Sequence, residues 1–249
     1  MSALYKAISG MQVEQDRTEA ISRNLAGAAL VGYKRETVVN HDFNGLLGSY
    51  SASGQGTVQG GSFIDFSAGR MEQTGRDLDF AINNKGFFLV ESESGNDQFL
   101  TRNGRFTLNS AGELITSTSP SFKVLGDNGS IQLPANVNLN SLEVTPDGTL
   151  RSRQGSVLKV IGKLRIVDVA DRKDLESLSG TMFKLRKETE LQEVAADEAK
   201  VVSRSIEGSN ISIVKEMVSM MDAMRKFEMG QKIMKSTDGL SRKEYQTFG

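Results

Sequence analysis

The sequence predicts an α+β protein: long N- and C-terminal helices forming a coiled-coil-like pair or tube, with a central antiparallel β-rich domain between them. Three observations predict it. A seam of heptad spacing runs from Leu4 to Leu25, and a second seam of the same 22-residue span runs from Ile213 to Met234. Between them the hydrophobic period falls to two, broken by turn residues at short intervals. The expected boundaries are an N-terminal helix over 1–35, an extended Gly/Ser-rich connector with short strands over 36–77, a β domain over 78–200, and a C-terminal helix and tail over 201–249. At 249 residues the chain is long enough to bury a sizeable core as one large domain or two small ones.

The first seam places Leu4, Ile8, Met11, Gln15, Thr18, Ser22 and Leu25 at 4,3,4,3,4,3 spacing. Its ends are apolar and its middle is polar. Alanines and long polar side chains favour helix, no proline interrupts, and Gly27 and Gly32 are the stop signals. From about Val38 to Arg70 glycine and serine dominate, which reads as an irregular connector carrying short strands such as Gly61–Phe66. From Leu78 to Arg186 short strand candidates follow one another. Asn84-Lys85-Gly86, Asn103-Gly104, Ala111-Gly112, Asp127-Asn128-Gly129 and Pro146-Asp147-Gly148 supply the positive-φ chemistry of tight turns. Many short strands at such spacing indicate an antiparallel arrangement rather than a parallel α/β sheet.

The second helix begins near Ser209-Asn210 or Ser212, with Glu216 in its first turns. Ile213, Met217, Met220, Met224, Phe227, Gln231 and Met234 form its seam, and six of the ten methionines lie on this helix. Methionine is flexible and polarizable, which suits surfaces that repack against more than one neighbour. Burying the six apolar seam residues yields roughly 9–18 kcal/mol gross. Ordering two dozen backbone residues, at ~1–2 kcal/mol each, exceeds that, so the stripe needs a partner. The N-terminal helix, with its polar middle, is an incomplete one. The packing candidates are therefore Leu4, Ile8, Met11, Leu25, Ile213, Met217, Met220, Met224, Phe227 and Met234.

Composition removes most chemistry. A net charge of −1 gives no electrostatic case for nucleic acid, no apolar run approaches the ~20 residues of a membrane span, and the start lacks the pattern of a cleaved secretory signal. With no cysteine and a single histidine, His41, thiolate and multi-histidine metal sites are excluded, as are the usual nucleophile–base pairs. Gly54-Gln55-Gly56-Thr57-Val58-Gln59-Gly60 has the wrong final spacing for a dinucleotide loop. Asp77 and Asp79 share one face of a strand, the arrangement of acid/base carboxylates, but adjacency to Arg76 reads more simply as a solvated pair. No catalytic residue, cofactor, metal or small-molecule substrate is expected.

The motifs resemble those of the bacterial flagellar rod and hook proteins. Ser9-Gly10-Met11, then Ile21-Ser22-Arg23-Asn24-Leu25-Ala26 and Gly32-Tyr33-Lys34-Arg35, resemble the family's N-terminal signature. Leu78–Ile82 with Gly86-Phe87-Phe88-Leu89-Val90 is similar to its central motif. Thr101-Arg102-Asn103-Gly104-Arg105-Phe106 is similar to the motif that follows, and Glu207-Gly208-Ser209-Asn210 leading into Glu216-Met217-Val218 to the C-terminal one. The residues carrying the likeness are Asn24, Leu25, Gly32, Lys34, Gly86, Phe87, Arg102, Gly104, Gly208, Ser209 and Asn210.

The resemblance implies a non-enzymatic subunit of the basal-body rod that transmits torque from motor to hook. It implies export through the flagellar type III apparatus without a cleaved signal, and assembly with copies of itself or other rod subunits through the terminal helices. Arg225–Met229 and Gly162–Val167 look more similar to a proximal than to a distal rod subunit. A distal rod subunit or short hook-like protein is the alternative, and a glycan hydrolase using Asp77 and Asp79 the remote one.

Overall fold

A computed structural model describes residues 2–42, 57–95, 97–134, 137–154, 157–178, 180–186 and 191–247, with the side chains of 2–7, 39–42, 57–61, 154, 196–197 and 237–247 outside the description. The chain forms two compact units: one comprises Met1–Ala28, Arg35–Asp65 and Ile211–Gly249, the other Ala29–Lys34 and Phe66–Asn210.

The first unit contains an N-terminal helix, Ser2–Gly27, and a C-terminal helix, Ile213–Thr247, that pack against each other. The latter runs for about 50 Å at ~1.5 Å per residue. A two-stranded antiparallel ladder, β1 (Arg35–Asp42) and β2 (Thr57–Asp65), lies against the N-terminal helix. Its register sets Arg35 opposite Asp65 and slips between Val38 and Asn40. The stretch read as an irregular connector thus holds strands of eight and nine residues. No described helix is long and apolar enough to cross a membrane.

The expected fold class is overturned. The chain is mostly antiparallel β-sheet, with two α-helices longer than one turn among the described residues, and these do not form the coiled-coil-like pair or tube. Ile8, Ile213, Met217 and Met224, four of the predicted seam residues, are exposed. The faces that are buried carry Val13, Ala20, Ile21 and Asn24 on one helix and Glu216 and Ala223 on the other. The physical reason is side-chain size and hydrogen bonding. Ala20 and Ala223 allow close approach, while Asn24 and Glu216 are buried because their polar atoms find partners.

The second unit is assembled from short strands: β3 (Met71–Gln73), β4 (Phe80–Ile82), β5 (Phe87–Ser92), β6 (Gln98–Thr101), β7 (Phe106–Leu108), β8 (Leu114–Thr116), β9 (Phe122–Gly126) and β10 (Gly129–Ser130). These are followed by β11 (Leu142–Val144), β12 (Thr149–Gln154), β13 (Val157–Lys163), β14 (Ile166–Asp168), β15 (Leu175–Ser177), β16 (Met182–Leu185), β17 (Gln192–Glu193), β18 (Val201–Ser203) and β19 (Ser205–Glu207). The main sheet has the order β15-β16-β6-β5-β9-β8-β7, with β10 paired to β9 and β14 paired to both β5 and β17. A smaller sheet runs β11-β12-β13, and β18-β4 and β19-β3 are separate pairs. Every pairing is antiparallel.

Its core gathers Phe80, Phe88, Phe106, Leu114, Val124, Leu150 and Leu164. Phe88 and Phe106 meet edge to face at 5.2 Å. Gly104 is required by proximity: a Cβ there would lie 1.6 Å from the Phe80 carbonyl oxygen, and backbone cannot yield that space cheaply.

The Pro146-Asp147-Gly148 turn links β11 to β12. Asp147 accepts hydrogen bonds from the hydroxyls of Thr145 and Thr149, the latter at 2.6 Å, and these, the Thr145 bond first, bring its carboxyl down to about 2 from an ordinary 3.8. Because the folded value is depressed, the stabilisation is full above the ordinary value and is lost as pH falls from there through about 2. An NMR titration of the Asp147 carboxyl is expected to show a midpoint near 2. Thr145→Val is expected to move that midpoint back toward the ordinary value.

Candidate functional site

Six of the ten expected packing residues lie on the C-terminal helix, Ile213–Thr247. The side chain of Leu4 lies outside the described residues. Met11 and Leu25 are half-buried, as are Met220, Phe227 and Met234. Ile8, Ile213, Met217 and Met224 are exposed. Around the last three lie Val214, Val218, Met221, Met229 and Ile233, also exposed, with Val214 at 72% and Met217 at 53%. Eight large apolar side chains of one helix therefore face solvent within the first unit.

Beneath them the helix is fixed at its first turn. Glu216 is buried; its Oε1 accepts from Arg35 Nε at 2.6 Å and its Oε2 lies 3.5 Å from Asn24 Nδ2. Asn24 holds β1 at both polar edges, donating to the Glu36 carbonyl at 2.7 Å and accepting from the Glu36 amide at 2.9 Å. Arg23 pairs with the Glu36 carboxylate at 3.0 Å. A carboxylate in the first turn is favoured by the helix dipole, so Glu216 serves both the helix and the guanidinium.

In the second unit the motif residues converge on one acidic group that the motif reading quoted but did not single out. Glu207, on β19, is 1% exposed at its side chain. Its Oε1 accepts from Lys34 Nζ at 2.7 Å and from the Gly69 amide at 2.8 Å, and its Oε2 from Arg102 Nη1 at 3.1 Å. Its backbone carbonyl accepts from the Gly32 amide at 2.7 Å. Lys34 also donates to the Ser67 carbonyl, and Arg102 to those of Ile82 and Asn84. Burial pulls the Arg102 guanidinium below its ordinary value, with Glu207 opposing. Its plane lies 5.2 Å from the Phe87 ring, which also contacts Phe66 and Phe183.

Gly32 has φ +72° and sits so close to Arg102 and Asn103 that a Cβ would lie 2.4 Å from the Asn103 nitrogen. Gly86 lies in the turn before β5 beside Ile166. Gly208 donates to the Arg70 carbonyl, Ser209 is half-buried, and Asn210 donates to Ser67 Oγ at 3.1 Å. The structure thus brings Gly32, Lys34, Phe87 and Arg102 together around Glu207.

The carboxylates weighed for acid/base work are used structurally. Asp77 pairs with Arg204 at 2.8 Å, and Asp79 is buried and accepts from the Thr74 hydroxyl at 2.8 Å.

Comparison with known proteins bears directly on this arrangement. Residues 81–152 match the family model described as the flagellar hook protein FlgE/F/G D1 domain, and residues 202–246 the model described as the flagellar basal body rod FlgEFG protein C-terminal region. These matches support a flagellar rod protein, a structural subunit and not an enzyme. It is similar to the flagellar basal-body rod protein FlgF of Caulobacter vibrioides, 28% identical over 100% of this chain and 98% of the relative. It is also similar to FlgF of Salmonella typhimurium, 25% identical over 95% and 94%, and to FlgG of Agrobacterium fabrum, 26% identical over 97% of each. In this rod protein the C-terminal match covers β18, β19 with Glu207, and nearly all of the C-terminal helix.

Proposed function

We propose that the chain is a proximal rod subunit that polymerises into a helical assembly, docking the exposed face of its C-terminal helix on copies of itself or other rod subunits. The observation that carries this is the set of eight exposed apolar side chains from Ile213 to Ile233. Each is about half exposed. Burying the remainder gains on the order of 6–12 kcal/mol, half of the ~1.5–3 kcal/mol for a complete burial of each. Association alone costs an estimated ~4–15 kcal/mol, so one helix face against one neighbour is marginal, and shelter by several neighbours is needed. The similarity to FlgF proteins supports the proximal position. Export through the flagellar type III apparatus completes the proposal.

The test is to label the chain in purified basal bodies and image them. Label on the motor side of the rod is expected. Label confined to the hook side overturns the proximal assignment, and absence from basal bodies overturns the assembly.

A further inference from the structure

The β12–β13 ribbon of the second unit carries features that rod membership does not account for. Between Asp147 and Asp168 the sequence holds five cations, Arg151, Arg153, Lys159, Lys163 and Arg165, and no acid. Between Lys187 and Lys200 it holds five carboxylates, Glu188, Glu190, Glu193, Asp197 and Glu198, and no cation. These are the two largest one-sign blocks in a chain whose net charge is −1.

The ribbon presents its charges together with apolar groups. Arg151 lies opposite Val160 and Arg153 opposite Leu158, and directly opposed residues of an antiparallel pair share a face. One face therefore joins two guanidiniums from β12 to two apolar side chains from β13. Val160 is 58% exposed, Leu158 is exposed, and Val157 on the other face is 67% exposed. Among the described residues β13 is also the edge of its sheet, with β12 as its one strand partner. Exposed apolar edge strands invite pairing with another chain, and arginine beside apolar surface is typical of interface centres.

The cations lack local partners. Among the described residues Arg151, Arg153 and Lys159 form no ion pair, and Arg151 Nε is buried without an acceptor. Glu143, opposite Arg151 on β11, is exposed and makes no ion pair with it. Lys163 and Arg165 reach only exposed partners, Asp127 at 3.6 Å and Glu193 at 3.4 Å.

We infer that this face docks on the acidic segment around Glu193 and Glu198 of a second copy of the chain. The inference rests on the self-assembly proposed above and adds to it a second, electrostatic contact. Glu193 and Glu198 are exposed, and their own partners, Arg165 and Lys85 at 3.9 Å, are surface pairs that exchange readily. The two patches differ, so the contact is heterologous, and it propagates a filament wherever its rotation does not close a ring. Charge complementarity also sets its register and its dependence on salt.

The test uses full-length chain and sedimentation equilibrium. Self-association is expected to weaken at least tenfold between 50 and 300 mM NaCl, and at least tenfold in Arg153→Glu/Lys163→Glu, whose sites are exposed and leave the fold intact. Glu193→Lys/Glu198→Lys is expected to lose association equally. A mixture of the two double variants restores it, because each then meets the opposite charge. Association indifferent to both double variants overturns the inference, as does a mixture that does not recover, or a native chain that stays monomeric at millimolar concentration in 50 mM salt. Loss with Met217→Glu alone, the double variants associating normally, overturns the ribbon contact and leaves the helix-face assembly standing.

Discussion

Glu207→Ala will destabilise the second unit by about 3–5 kcal/mol, the usual cost of leaving a buried charge without its partner. Two cations depend on this carboxylate: Lys34, fully buried, and Arg102, 4% exposed at its side chain. The Gly69 amide loses its acceptor as well. Both charged groups would remain in place, since Lys34 is also bonded to the Ser67 carbonyl and Arg102 to those of Ile82 and Asn84, so neither can swing out to water without breaking further bonds. Chemical denaturation followed by circular dichroism checks this. The melting temperature should fall by roughly 6–20 °C for a unit of this size. Glu207→Gln keeps an acceptor for Lys34 and Gly69 but removes the charge, and should fall between the native chain and Glu207→Ala. A loss below about 1 kcal/mol in the alanine variant would mean that the two cations are not committed to Glu207.

Met217→Glu will stop incorporation into the rod and leave the free chain folded. Met217 stands in the middle of the exposed stripe at 53% exposure, with Val214, Val218 and Met221 beside it and Met224 two turns along. In the free chain the substitution touches solvent, where surface changes stay within about 0.5 kcal/mol. In the assembly it buries a carboxylate with no cation supplied, at a cost of several kcal/mol. At ~1.4 kcal/mol per tenfold that is about 100-fold or more in incorporation. Met217→Leu conserves volume and apolarity and should assemble normally. The inner positions make poorer probes. Met220 and Phe227 are half-buried against their own unit, so a charge there would disturb folding and docking together.

Much of the second unit was legible because its strands alternate and its turns carry Asn, Asp and Gly. Within the run of strand candidates from Leu78 to Arg186, Phe87–Ser92 and Gln98–Thr101 both form strands. Which strands meet was not legible: β14 pairs with β5 by setting Ile166 opposite Phe88, a choice made by packing across distant sequence. Of the β1–β2 ladder only the stretch from Gly61 was legible, since glycine and serine before it mask the start of a nine-residue strand.

The helix face buried within the unit was missed for a different reason. Heptad counting weights apolar size, so it passed over Ala223 and the charged Glu216, which are the buried positions, and chose Met217 and Met224, which are not. Asn24, Lys34 and Arg102 were marked by resemblance, but their roles depend on partners far along the chain. Glu216 lies 192 residues from Asn24, and Glu207 lies 173 from Lys34 and 105 from Arg102. No local pattern announces such pairs, and a lone acid in the otherwise strand-like Ser205-Ile206-Glu207 was the one hint available.

The account stands on the claim that the solvent-facing stripe of the C-terminal helix is covered by neighbouring subunits in the rod. The direct measurement is the amount of Met217→Glu chain in basal bodies purified from cells expressing it at the native level, beside Met217→Leu and the native chain. We expect the leucine variant to match the native chain, and the glutamate variant to be depleted about 100-fold while remaining folded in the soluble fraction. Equal incorporation of a folded Met217→Glu chain would contradict the claim.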